Sequence, residues 1–215
     1  MIKTSLEIYN RYLIKIMMSS LLIVIPLSLF LYFATYYLYD VLAQDQYPSM
    51  YTLYFILLNF ICIIPMYRRL AESDLEDEEE PTLLDLMKEF IKHFGIVLCI
   101  SIPLYIVAMI GMPIGFIPTV ICGVLLLLFP FTIHYLNAKK IMQSIGSILK
   151  KENIFVLFDL LVVICSQVLV YSLLLQAFDQ FESNFYVYGI TKAIVNACIF
   201  PFLIFYLTQR YRLNS

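Results

Sequence analysis

Between Ile16 and Tyr39 the chain reads IMMSSLLIVIPLSLFLYFATYYLY, with no charged residue in it. Five further apolar stretches follow, at approximately Met50–Tyr67, Phe94–Met112, Ile114–Leu136, Ile154–Phe178 and Tyr186–Leu207. A bilayer core about 30 Å thick is crossed by a helix of about 20 residues, which is the length these runs supply. The runs lack period-two alternation, so a strand-built barrel is not a competing solution. Composition agrees: 62% of residues are hydrophobic and 14% charged, with mean hydropathy +0.86. Soluble domains have about 45–50% apolar and about 25% charged residues. The expected fold is all-α, a polytopic membrane protein whose single integral domain, residues 1–215, has six transmembrane helices. The first run has no small-residue cleavage site and reads as a retained span, not a signal peptide.

The charges orient the chain. With the N-terminus in the cytoplasm, every basic residue except Lys192 falls on the cytoplasmic side, from Lys3, Arg11 and Lys15 through Arg68 and Lys139 to Arg210 and Arg212. The outer loops carry Asp40, Asp45, Asp179 and Glu182 instead. This is the positive-inside distribution, and it predicts both termini in the cytoplasm. Tyrosines take the interface-anchor role in a chain without tryptophan, among them Tyr36, Tyr37, Tyr39, Tyr47, Tyr51, Tyr54, Tyr186 and Tyr188.

Prolines suggest an internal repeat. Pro65, Pro130 and Pro201 stand near the inner ends of the second, fourth and sixth spans. Lys15 precedes Pro26 by the same interval as Lys92 precedes Pro103. The expectation is three helical hairpins in series, each entering from the cytoplasmic side. The five cysteines, Cys62, Cys99, Cys122, Cys165 and Cys198, lie in apolar runs with no CxxC pair and read as small buried hydrophobes.

The most acidic run, AESDLEDEEEP over Ala71–Pro81, falls between the second and third spans. Leu83, Leu84, Leu86, Met87, Phe90, Ile91 and Phe94 follow it at helical spacing, with Asp85, Lys88, Glu89 and Lys92 on the remaining arc. Residues 71–93 are therefore read as an acidic cytoplasmic loop and an amphipathic surface helix, with Pro81 in its first turn. Ala138–Lys151 has the same character. Glu72, Asp74, Glu76, Asp77, Glu78, Glu79 and Glu80 are candidates for docking a basic patch on a partner. Divalent-cation binding is an alternative, although the glycine and ligand spacing of a calcium loop are absent; so is a solvated, repelling loop.

Polar residues within spans are the default functional candidates. Asp159 lies about one and a half turns into the fifth span. His134 and Asn137 lie at a similar depth, and a His134–Asp159 pair would carry a proton. Gln167 is placed to bond Asn59 or Asn196 across the bundle. Lys192 reads as an orientation anchor near Asp179 and Glu182. HExxH, GxSxG and Walker motifs are absent, so no catalytic residue, metal or cofactor is assigned. No basic patch suits nucleic acid.

Two segments, Pro81–Phe90 and Phe129–Tyr135, sit in a layout of hairpins preceded by short amphipathic helices. That layout resembles the membrane domain attached to some glycerophosphodiester phosphodiesterases. The phosphodiesterase domain itself is missing, so the resemblance implies a bacterial inner-membrane protein and no catalytic role. The expected function is a non-enzymatic accessory or scaffold subunit of a membrane complex, partnered with a transport ATPase or a sensor. A small transporter or permease subunit and a lipid-modifying enzyme are the alternatives.

Overall fold

The computed structural model describes residues 2–42, 48–75, 79–135, 137–179 and 185–211. These residues form helices and no strands: α1 (Ile2–Arg11), α2 (Leu13–Ser19), α3 (Ile25–Leu42), α4 (Pro48–Leu75), α5 (Leu83–Gly115), α6 (Ile117–Thr132), α7 (Ala138–Glu152), α8 (Phe155–Asp179) and α9 (Phe185–Tyr211). A π turn over Ser20–Val24 joins α2 to α3, and a 3-10 turn over Ile133–Tyr135 ends α6. Six stretches are long and apolar enough to cross a membrane: Leu13–Leu38, Thr52–Asp74, Leu83–Pro113, Ile117–Tyr135, Phe155–Phe178 and Phe185–Tyr211.

The π turn has a local cause. Pro26 has no N–H to return to the preceding turn, and the ladder shifts to a wider register before it, with the Ile25 N–H on the Ser20 carbonyl. The shift turns the Ser19 and Ser20 hydroxyls inward. Both meet the Tyr67 hydroxyl, at 3.2 and 2.7 Å, and Ser20 also donates to the Ala197 carbonyl at 3.2 Å. One buried tyrosine thus ties the first span to α4 and α9.

Helix α4 is the centre. It packs against α3, α5, α6 and α9, while α8 lies against α9 and α6. Every residue from Leu57 to Arg68 is buried. The rings of Phe60 and Phe200 meet edge to face at 5.3 Å, and Tyr67 meets Phe205 at 6.2 Å. Helices α5 and α8 are the outer members and expose Ile102, Ile106, Ile110, Leu161, Val162 and Leu169. That exposure is appropriate, because hydrocarbon outside the bundle is as apolar as its interior.

Sequential spans pack on one another, the first on α4, α5 on α6 and α8 on α9. Pro65, Pro130 and Pro201 are all buried, whereas Pro26 and Pro103 are exposed. Five sequence expectations shift. Helix α4 continues past Tyr67 to Leu75, so Ala71–Leu75 is helix and not loop. The amphipathic segment and the third span form one helix, Leu83–Gly115, of about 50 Å. Gly95, its one early breaker, is tolerated there because leaving the helix would strand backbone polar groups. Pro81 precedes the helix, which Thr82 starts with a capping box: its Oγ1 accepts from the Asp85 N–H, and Asp85 accepts from the Thr82 N–H at 3.1 Å. The third span runs past the expected Met112 with Pro113 still inside α5, and the turn after it occupies Gly115 (φ 134) and Phe116 (φ 63). Cys99, Cys165 and Cys198 are exposed on the lipid-compatible surface, while Cys62 and Cys122 are buried.

At the end away from the N-terminus, Tyr32 lies against Gly189. A Cβ on Gly189 would stand 2.7 Å from two Tyr32 ring carbons. Gly189→Ala is expected to lower stability by about 1–3 kcal/mol, as overpacking does, and Tyr32→Leu should restore most of it. Unfolding of the detergent-purified protein checks this; an unchanged midpoint in Gly189→Ala would contradict the packing described.

Candidate functional site

The polar side chains gather at one end of the bundle. Alternating spans bring together the start of the first span, the α4–α5 connection, the end of α6 with α7, the start of α8 and the end of α9. Among the described residues at this end, three ion-pair groups join separate parts of the bundle.

The first is built on Arg210. Its Nε donates to Glu152 Oε2 at 2.9 Å and its Nη1 to Asp159 Oδ1 at 2.5 Å. Tyr211 donates to Asp159 Oδ2 at 3.0 Å, and the guanidinium stands 5.5 Å from the Phe155 ring centre. Helices α7, α8 and α9 are locked together by one cation serving two carboxylates. The expected His134–Asp159 pair is not formed, because α9 runs on to Tyr211 and brings Arg210 to Asp159.

The second is built on Arg68, which is buried. Its Nε and Nη2 donate to Glu72 Oε1 at 2.8 and 2.6 Å, a pair within one turn of α4. Its Nη1 meets His134 Nδ1, so His134 ties α6 to α4. In the third group, Arg11 pairs with Asp74 at 2.5 Å, Tyr12 donates to the same oxygen at 3.1 Å, and Lys15 pairs with Glu80 at 2.7 Å. The Arg11 pKa is raised, first by its hydrogen bond to Asp74. The Tyr12 phenol is raised by burial and then by Asp74.

The acidic candidates therefore divide. Glu72, Asp74 and Glu80 hold partners within the chain, Glu79 is exposed, and Glu76, Asp77 and Glu78 lie outside the described residues. No group of three or more His, Cys, Asp or Glu among the described residues is placed to hold a metal ion. Asn137 has a local role as N-cap of α7, its Oδ1 accepting from the Lys139 N–H at 3.0 Å.

Deeper in the bundle, Asn59 donates to Ser28 at 2.8 Å. The expected Gln167 bond to Asn59 or Asn196 is not made: Asn59 Oδ1, Gln167 Nε2 and Asn196 Oδ1 are buried without a hydrogen-bond partner. Lys192 Nζ stands 5.8 Å from the Tyr32 ring centre, and the Glu182 expected near it lies outside the described residues. On the outside, Leu22, Ile23, Pro26, Leu27, Met87, Phe90, Ile91 and Phe94 line a groove of about 320 Å³ between the first span and α5, with only apolar side chains in its walls.

Sequence reasoning passed over Arg68, Glu152, Arg210, Tyr211 and the buried His93 as site residues. The available signal was the tail of α9, where Tyr211, four residues beyond Leu207, continues the buried face and Arg210 beside it reaches Asp159. The chain matches no family model, no curated protein and no solved structure.

Removing the shared cation should cost more than removing one of its anions. Arg210→Gln leaves two carboxylates uncompensated and is expected to lower stability by about 3–5 kcal/mol, whereas Asp159→Asn leaves Arg210 paired with Glu152 and should cost less. Unfolding of both variants in detergent orders them; the reverse order would refute the shared-cation arrangement.

Proposed function

We propose that this chain is a non-enzymatic accessory or scaffold subunit of a bacterial inner-membrane complex, with both termini in the cytoplasm. The packing of α4 carries the reading. Phe60, Cys62, Ile63, Ile64, Met66 and Tyr67 fill the centre of the bundle with relative exposures of 0%. A structural subunit needs such a solid centre, and a permeation path needs the opposite. The basic side chains of the N-terminal end support the cytoplasmic placement of the termini, and the resemblance in layout to bacterial hairpin proteins is what suggests the inner membrane.

The docking determinant narrows to the acidic segment 76–79, because Glu72 is paired with Arg68 within α4 and Asp74 and Glu80 are paired with Arg11 and Lys15. A transport ATPase or a sensor with a basic cytoplasmic patch is the partner class. The test is purification from native membranes in mild detergent, beside a Glu76→Gln/Asp77→Asn/Glu78→Gln/Glu79→Gln variant that leaves the internal pairs intact. A stoichiometric partner lost from the variant is expected. No partner in either preparation, or the same partner in both, sinks the docking reading.

A second reading, a small transporter, is favoured by the unpartnered amide atoms of Asn59, Gln167 and Asn196. An unpartnered buried polar atom costs about 1–3 kcal/mol, a cost that function can maintain. Gln167→Leu and Asn196→Leu distinguish the readings. A scaffold should become as stable or more stable and keep its partner; a transporter should keep its fold and lose flux.

A further inference from the structure

The first span and α5 start from the same end of the bundle, and the packing between them is concentrated at α2. The π turn over Ser20–Val24, and Pro26 after it, lie just beyond that contact. There the two helices leave the groove of about 320 Å³. Its lining grades from buried Ile23, through half-buried Phe90 and Phe94, to exposed Leu22, Pro26 and Ile91. The Phe90 and Phe94 rings stand 5.2 Å apart along one side. The volume is at the lower end of the range that holds small ligands, about 300–1,000 Å³. From Met87 to Phe94 the α5 side runs for about 10 Å. An elongated trough with only apolar side chains has no hydrogen bond to offer a polar solute, and it suits an alkyl chain.

The N-terminal end of the trough is charged. Lys15 lies in α2, about two turns before Leu22, and Glu80 lies shortly before α5, on the same side of Met87. They pair at 2.7 Å and so bridge the two elements that form the trough. Their side chains stay 30% and 58% exposed, so each charge has room for a second partner. Asp85 and Lys88, exposed and 3.8 Å apart on the first turns of α5, repeat the juxtaposition of opposite charges. The trough thus opens on to positive and negative groups together. A headgroup that carries both a phosphate and a primary ammonium matches them: the phosphate accepts from Lys15 and the ammonium donates to Glu80. An anionic headgroup meets Glu80 with like charge, and a choline headgroup has no N–H to donate.

We propose that this groove is a binding site for phosphatidylethanolamine, with one acyl chain between the first span and α5 and the headgroup across Lys15 and Glu80. The test uses the full chain purified in a mild non-ionic detergent. Palmitoyl-oleoyl phosphatidylethanolamine, phosphatidylglycerol or phosphatidylcholine is titrated in, and retained lipid is counted by native mass spectrometry. The wild type should retain phosphatidylethanolamine about ten-fold better than the other two, the effect of one charge-assisted hydrogen bond. Lys15→Gln/Glu80→Gln should lose that preference and still retain lipid, whereas the charge-swapped Lys15→Glu/Glu80→Lys should keep it. Ile91→Trp, a substitution at an exposed position on the rim, should fill the groove and lower retention of all three lipids. The headgroup and groove variants act at separate places, so one poorly folded variant does not decide the outcome. Equal retention of the three lipids by the wild type, or a preference for phosphatidylglycerol, overturns the proposal. So does an unchanged preference in folded Lys15→Gln/Glu80→Gln, or undiminished retention in folded Ile91→Trp. A dimer of the chain that dissociates in Ile91→Trp, with no lipid preference in the wild type, assigns the groove to a second copy and overturns it as well.

Discussion

The burial of α4 from Leu57 to Arg68 is the constraint on which the other helices depend. Inside a bilayer, lipid tails solvate a leucine as well as another leucine does, so apolar surface alone does not hold helices together. Close packing and hydrogen bonds must do so. Here the ring contacts of Phe60 and Tyr67 and the hydroxyl contacts among Tyr67, Ser19 and Ser20 supply both. Every other span is placed by whether it touches α4. Those that do, α3, α5, α6 and α9, form its surroundings, and α8 fills the outer position between α6 and α9.

Polar chemistry is then confined to the two places that this packing allows. Charged groups collect at the N-terminal end, where Arg68 and Arg210 each serve two partners on different elements or turns. Amide groups sit deeper, where Asn59 reaches Ser28 while Gln167 and Asn196 keep atoms without partners. The first set staples the helices. The second is small and sits beside a centre filled by side chains.

The six spans were legible in the sequence because each is a local property: a run of apolar residues of bilayer length. Hairpin order was legible for the same reason, since short connections force neighbours to be antiparallel. Partnership was not. Asp159 and His134 have similar depth, and depth is all that a linear reading supplies; which residue faces Asp159 depends on how α9 is rotated, and that brought Arg210 instead. Helix ends were also misread where polar residues continued the helix. Ala71–Leu75 and Leu83–His93 look like surface segments by composition, yet both extend neighbouring spans, because the backbone hydrogen-bond ladder has no reason to stop there.

The central position of α4 has a consequence for how the protein is made. It is the second span to leave the ribosome and is enclosed by spans that follow it. Arg68 reaches the membrane 66 residues ahead of His134. At about 5–20 residues per second of synthesis, it waits about 3–13 s for that partner. Glu72, one turn along the same helix, is there from the start. It offers the guanidinium a counter-charge within its own helix during that interval, before the fourth span brings His134.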